Sequence, residues 1–82
     1  GALGGEHRAR LAGDRGDGLA DIERIVGGAA ARLYAGAWLL VEHGAEQGVA
    51  ARGTFERAGL ADVQTRQDLA ARPRVTGGRR VE

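Results

Sequence analysis

Ala37-Trp38-Leu39-Leu40-Val41-Glu42-His43-Gly44 begins with five apolar residues and ends in a polar turn. An apolar run of this length without polar alternation is typical of a strand that is covered on both faces in a parallel α/β sheet. Such a strand needs a helix on each side. The run therefore predicts an α/β fold, arranged in three layers, with a buried strand over residues 37–41.

An amphipathic helix is expected before this strand. Apolar side chains recur at helical spacing over residues 19–33, and Asp17 is a favourable N-cap. The helix should stop near Gly36, because glycine readily adopts the left-handed cap conformation. Residues 1–16 show neither a helical nor a strand period and are expected to be a loop-rich lead-in.

A second helix and two weaker strands are expected after the buried strand. The helix should span residues 47–58 and end at Gly59 as its C-cap. The segments 61–67 and 74–81 predict an antiparallel hairpin around a turn at residues 70–73. The side chains of this second helix that we expect to face the core are Val49, Ala50, Phe55 and Ala58.

Composition restricts the classes of protein that the chain can represent. It has 82 residues, a formal net charge of +1 and no cysteine, so a small disulfide-stabilised secreted domain is excluded. No apolar run approaches the roughly 18 residues that span a bilayer. The basic residues are scattered along the chain, so no direct nucleic-acid binding is expected. A cytoplasmic location without membrane contact is the expectation.

The sequence contains no complete catalytic motif. No Gly-x-Gly-x-x-Gly follows a strand, and serine and cysteine are absent, so a conventional nucleophile is missing. The acids Asp14 and Asp17 lack the ligand spacing of a calcium loop, and no metal site is expected. His43 is interpreted as a solvated loop histidine. Glu42 ends the buried strand, where it can face a ligand or accept hydrogen bonds from backbone N–H groups of the turn.

Four separated segments resemble one known family. In order and spacing they are similar to the C-terminal third of release factor glutamine methyltransferases, and Leu-Val-Glu-His-Gly-x-x-Gln-Gly at residues 40–48 is the most specific part. The four segments are residues 17–22, 39–48, 58–69 and 74–79.

The resemblance implies the C-terminal part of a Rossmann-like class I S-adenosylmethionine-dependent methyltransferase fold, with three strands and two helices. Residues 17–82 would be the C-terminal portion of the methyltransferase domain. In this topology the last strand lies between the other two and runs antiparallel to them. The intact enzyme would use S-adenosylmethionine to methylate the glutamine side chain of the Gly-Gly-Gln motif in peptide chain release factors.

The motifs that carry the family's chemistry are absent from these 82 residues. The sequence has no asparagine for the substrate-binding Asn-Pro-Pro-Tyr motif, and its one proline is Pro73. No catalytic or cofactor-binding residue can therefore be carried over, and we expect a truncated fragment that is inactive alone and binds no cofactor. Glu42 and Gln47 are expected to lie on the substrate side or in its supporting shell.

Two other functions stay open at this point. A related amino-methyltransferase that acts on a ribosomal protein or on DNA adenine would share the missing substrate motif. A small non-catalytic interaction module could instead use an unpaired sheet edge to bind another protein.

Overall fold

The computed structural model describes residues 5–10, 19–67 and 73–81. They form a four-stranded sheet and two α-helices, which confirms the α/β class and adds one strand to the three expected. The elements in chain order are β1 (Glu6–Arg10), α1 (Leu19–Ala30), β2 (Trp38–Glu42), a 3₁₀ turn (Ala45–Gln47), α2 (Gly48–Arg57), β3 (Ala61–Gln67) and β4 (Pro73–Arg79).

The last strand lies inside the sheet. The strand order is β1-β2-β4-β3, with β1 parallel to β2 and with β4 antiparallel to both of its neighbours. The expected hairpin of β3 and β4 and the expected place of the last strand are both confirmed. Thr76 of β4 pairs with Val41 of β2 on one side and with Thr65 of β3 on the other.

Strand β1 corrects the expectation that residues 1–16 form a loop. The alternating side chains of Glu6, Arg8 and Arg10 are exposed, so this strand has no apolar signal of its own. It is a strand because its backbone pairs with β2 and because Ala9 packs against the core. Outside the described residues lie residues 1–4 and 11–16 of that stretch, the expected cap Asp17, and residues 70–72 of the turn predicted at 70–73.

Both helices pack on the same face of the sheet. Leu39 and Val41 of β2 are fully buried there, whereas Trp38 and Leu40 point to the other face and are half-buried. The expectation of a three-layer arrangement with β2 covered on both sides is therefore wrong for the described part of the chain. The buried apolar residues of the covered face are Ile22, Val26, Ala29, Leu33, Ala37, Leu39, Val41, Ala51, Phe55 and Leu60.

Neither of the two described helices covers the second face of the sheet. Trp38 and Leu40 line a groove of about 500 Å³ together with Val75 and Gly77, and charged side chains from β1 and β3 border it. We call this surface the open face. Within the described residues, no helix is long and apolar enough to cross a membrane.

Of the four residues of the second helix that were expected to face the core, Phe55 is buried as predicted, whereas Ala50 is half-buried and Val49 and Ala58 are exposed. The buried residues of α2 are Gly48, Ala51, Thr54 and Phe55, whereas Val49 is 75% exposed. The buried positions follow the spacing i, i+3, i+6 and i+7 of one helical face, and the neighbouring position 49 is rotated by about 100° away from it. The end of the helix is as predicted, since Gly59 has a left-handed φ of 83°.

Helix α1 is shorter than expected, with its last residue at Ala30. Leu33 lies beyond the helix but is still buried, at 2% exposure. Three carbonyl oxygens around the helix end, those of Ala30, Ala31 and Leu33, accept hydrogen bonds from the Arg80 guanidinium. This arginine therefore caps the helix from the end of β4 and replaces part of the hydrogen bonding that a continued helix would supply.

The two faces of β2 give a direct test of this packing. Leu39→Ala should lower the free energy of unfolding by about 2–5 kcal/mol, because it leaves a cavity in the covered core. Leu40→Ala should cost clearly less in this chain, because Leu40 borders the open face. Urea denaturation followed by circular dichroism measures both values. An equal loss of unfolding free energy in the two variants would contradict the assignment of Leu40 to an open face.

The glycine pair of β4 gives a second test. A Cβ at position 78 would lie 2.8 Å from Phe55 Cδ2 and 3.1 Å from Leu60 Cβ, both buried, whereas one at position 77 would meet a terminal methyl of Leu40 at 2.6 Å. Gly78→Ala should destabilise the fold by about 1–3 kcal/mol, as overpacking of a core does. Gly77→Ala should cost less, because that methyl can rotate into the open face. Thermal unfolding measures the loss of stability in each variant. A larger loss in Gly77→Ala than in Gly78→Ala would refute this account.

Candidate functional site

The carboxyl ends of β1 and β2 meet at one edge of the sheet, because the two strands are parallel. Ligands of open α/β sheets bind beyond such an edge. Arg10 ends β1 and Glu42 ends β2, and Arg10 Nη2 donates a hydrogen bond of 3.2 Å to Glu42 Oε1. We call this edge, with the turn that follows β2, the carboxyl edge.

Glu42 does not anchor the turn. Its carboxylate is 45% exposed and pairs with an arginine side chain that is 76% exposed. An ion pair with this much exposure contributes about 0–1 kcal/mol to stability. Glu42 therefore does not accept the expected hydrogen bonds from backbone N–H groups. Its carboxylate is accessible to solvent on the side of the open face.

Gln47 performs the anchoring that was expected of Glu42. Its Oε1 accepts a hydrogen bond of 2.7 Å from the backbone N–H of Gly44, and its own backbone N–H donates to the Gly44 carbonyl at 3.0 Å. The Gln47 side chain is buried, at 6% exposure. A Cβ on Gly44 would lie 3.1 Å from that same Oε1, so a side chain at position 44 would crowd the bond.

The structure brings the two predicted site residues to the same edge but to different sides of the sheet. Glu42 alternates with Leu40 and Trp38, and therefore shares the open face with them. Gln47 immediately precedes α2, on the covered side. Glu42 thus places a negative charge at the surface, and Gln47 holds the backbone of the adjacent turn.

His43 is buried, so its interpretation as a solvated histidine is wrong. Its ring is 6% exposed, and Nε2 lies 2.9 Å from Oγ1 of the fully buried Thr76. Thr76 Oγ1 in turn lies 2.8 Å from Thr65 Oγ1. Sequence reasoning missed both threonines and Arg10. The predicted hairpin around residues 70–73 contained both threonines but did not specify that they lie opposite each other.

The chemical capacity of the described edge is limited. No buried side-chain nitrogen or oxygen lacks a hydrogen-bond partner in the described ranges. Across those same ranges, no group of three or more histidines, cysteines and acids could hold a metal ion. The Gly44 and Gln47 N–H groups are both used within the turn. What the described edge offers a polar ligand is the Glu42 carboxylate beside a guanidinium.

Curated proteins provide an independent comparison. A release factor glutamine methyltransferase of Xylella fastidiosa (strain Temecula1) is 52% identical over 64 residues, which cover 78% of this chain and 23% of that protein. The release factor glutamine methyltransferase of Bordetella pertussis is 48% identical over 65 residues, which cover 79% of this chain and 24% of that protein. The release factor glutamine methyltransferase of Salmonella typhimurium is 43% identical over 74 residues, which cover 90% of this chain and 26% of that protein.

The chain is similar in sequence to release factor glutamine methyltransferases. It matches the C-terminal part of these relatives and spans about a quarter of their length. No protein-family model matches the chain. The resemblance carried by the four sequence segments is confirmed, and the four-stranded sheet with two helices fits a methyltransferase C-terminal part.

The role of Gln47 in this chain can be tested at the backbone. Gln47→Leu removes the acceptor for the Gly44 N–H, which should cost about 1 kcal/mol of stability. The Gly44 amide should then exchange with deuterium faster than in the parent chain, as measured by NMR. The exposed Glu46 of the same turn provides the control, and Glu46→Gln should leave the exchange rate unchanged. Unaltered exchange in Gln47→Leu would contradict the anchoring role.

Proposed function

We propose that this chain is the sheet-completing, substrate-side part of an S-adenosylmethionine-dependent methyltransferase that modifies a glutamine of a peptide chain release factor. The observation that carries the proposal is the 43–52% identity to relatives that bear this name, over 78–90% of the chain. The central antiparallel β4 supports it, because this is the arrangement that the resemblance implies. A cytoplasmic place of action is part of the proposal, since release factors work at the ribosome.

The names of the relatives favour a release factor over the other substrates considered. Eight of the sixteen curated relatives that match are called release factor glutamine methyltransferase. S-adenosylmethionine would supply an electrophilic methyl group to the substrate amide nitrogen. The backbone N–H groups of Gly44 and Gln47 are both used within the turn and are not available to hold this cofactor. We therefore assign them no step of methyl transfer.

Glu42 is assigned to the substrate side within this proposal. Its carboxylate is accessible at the carboxyl edge, and the Arg10 ion pair contributes little to stability. A group whose removal hardly affects folding, yet which sits where ligands of such sheets bind, is suited to contact a substrate. Gln47 is assigned to the supporting shell, because it is buried and bonded to the backbone of the turn.

A chimera tests the function as a whole. The 74-residue matching segment of the Salmonella typhimurium relative is replaced by this chain, and methyl transfer from labelled S-adenosylmethionine to a release factor is measured. The chimera should transfer methyl groups to the glutamine, whereas the relative lacking the segment should not. Val49→Ala, at an exposed position of α2, serves as the unchanged control. A chimera that melts cooperatively like the parent but transfers no methyl group would refute the proposal.

The same chimera tests the role of Glu42. Glu42→Gln should lower turnover about tenfold, which is the loss of roughly 1.4 kcal/mol of transition-state interaction, with little change in melting temperature. Arg10→Gln breaks the same ion pair without removing the carboxylate and should lower turnover less. A parallel fall of melting temperature and turnover in Glu42→Gln would place Glu42 in the supporting shell. An unchanged turnover would exclude both roles.

A further inference from the structure

A chain of buried polar groups runs beneath the carboxyl edge. It connects Thr65 of β3, Thr76 of β4, His43 after β2 and the carbonyl oxygen of Gly44. The three side-chain steps measure 2.8 Å from Thr65 Oγ1 to Thr76 Oγ1, 2.9 Å from Thr76 Oγ1 to His43 Nε2, and 2.8 Å from His43 Nδ1 to the Gly44 oxygen. Thr76 is 0% exposed and His43 is 6% exposed, so the bond between them is shielded from water, whereas Thr65 and Gly44 at the two ends are half-buried.

The chemistry of the groups fixes the direction of each bond. A carbonyl oxygen can only accept, so His43 Nδ1 must carry the proton that it shares with Gly44. In a neutral imidazole the other ring nitrogen is then an acceptor, and the Thr76 hydroxyl must donate to Nε2. Since Thr76 has one proton, its oxygen accepts from Thr65. With a neutral ring, one arrangement of protons satisfies all three bonds, whereas a doubly protonated ring would donate from Nε2 to Thr76 and reverse the bond between the two threonines.

The Gly44 carbonyl is the point where this chain meets the turn. It accepts from His43 Nδ1 at 2.8 Å and from the Gln47 backbone N–H at 3.0 Å, which uses both of its lone pairs. The backbone N–H of His43 also donates to the Arg74 carbonyl at 2.9 Å and so extends the pairing of β2 with β4 past Glu42. His43 thus ties the turn to β4 through both its backbone and its ring.

We propose that His43 is a positioning residue: as a neutral Nδ1–H imidazole accepting from Thr76, it holds the Gly44–Gln47 turn on β4 and thereby sets the place of Glu42 at the substrate edge. The inference rests on the proposed function for its catalytic consequence. Its structural content, the tautomer and the direction of the hydrogen bonds, stands independently of any activity. His43 itself touches no substrate in this account.

Nitrogen-15 NMR of the full 82-residue chain tests the tautomer without an activity assay. The chain has two histidines, so His7→Gln leaves the His43 ring as the one remaining signal. At neutral pH we expect a protonated Nδ1 and an unprotonated Nε2. A protonated Nε2 would overturn the inference. If the chain alone gives no folded spectrum, the same labelled ring is observed in the chimera.

Steady-state kinetics of the chimera test the positioning role. Thr76→Val removes the hydroxyl at nearly constant shape, and we expect the KM for the release factor to rise about tenfold while the KM for S-adenosylmethionine is unchanged. Thr76→Ser restores a hydroxyl and should restore the KM. A purely structural role would lower the yield of folded protein and leave both KM values alone, and that result would overturn the inference.

Two histidine variants separate the two ring contacts. His43→Asn keeps a donor near the Nδ1 position and loses the contact to Thr76, and we expect it to match Thr76→Val in KM. Combining His43→Asn with Thr76→Val should add no further loss, because both changes remove the same bond. Additive losses would contradict the proposed bond. If the chimera with native His43 shows no activity, the proposed function has failed, and the NMR result still decides the tautomer.

Discussion

The close approach of two neighbours to the glycines of β4 is the constraint on which the sheet depends. Side chains at positions 77 and 78 would run into Leu40 on the open face and into Phe55 on the covered face. β4 is hydrogen-bonded to both β2 and β3, and α2 packs against it. A shift of β4 would therefore displace two strands and a helix together. The absence of a Cβ at Gly78 lets α2 pack close to the covered face of the sheet.

The parts of the fold that were predicted correctly are those with local signals. Helical spacing identified α1 and α2, Gly59 marked the end of α2, and residues 61–67 were assigned to a strand with the observed bounds. The position of β4 between β2 and β3 came from the family resemblance, because no local property of residues 73–79 specifies which strands they join. Sequence periodicity thus gave the elements, and the resemblance gave their order.

The parts that were missed depend on partners distant in sequence. β1 has charged residues at alternate positions, and its strand conformation follows from pairing with β2, some 30 residues later. His43 is buried because its partner Thr76 lies 33 residues away on β4. Trp38 and Leu40 were expected to be covered because an apolar strand usually is, yet within the described residues both helices lie on the other face. A single sequence carries no direct record of such pairings.

At the carboxyl edge, uncharged side chains hold the turn, and a charged side chain is left accessible for a substrate. The neutral amide of Gln47 and the imidazole of His43 hold the turn, so Glu42 is not needed for that purpose. A carboxylate that anchored backbone N–H groups would be fixed and partly neutralised by them. Here its opposing group is an exposed guanidinium, and breaking such a pair costs about 0–1 kcal/mol. A polar substrate group can therefore replace Arg10 at Glu42 with little energetic penalty, while the turn beneath stays in place.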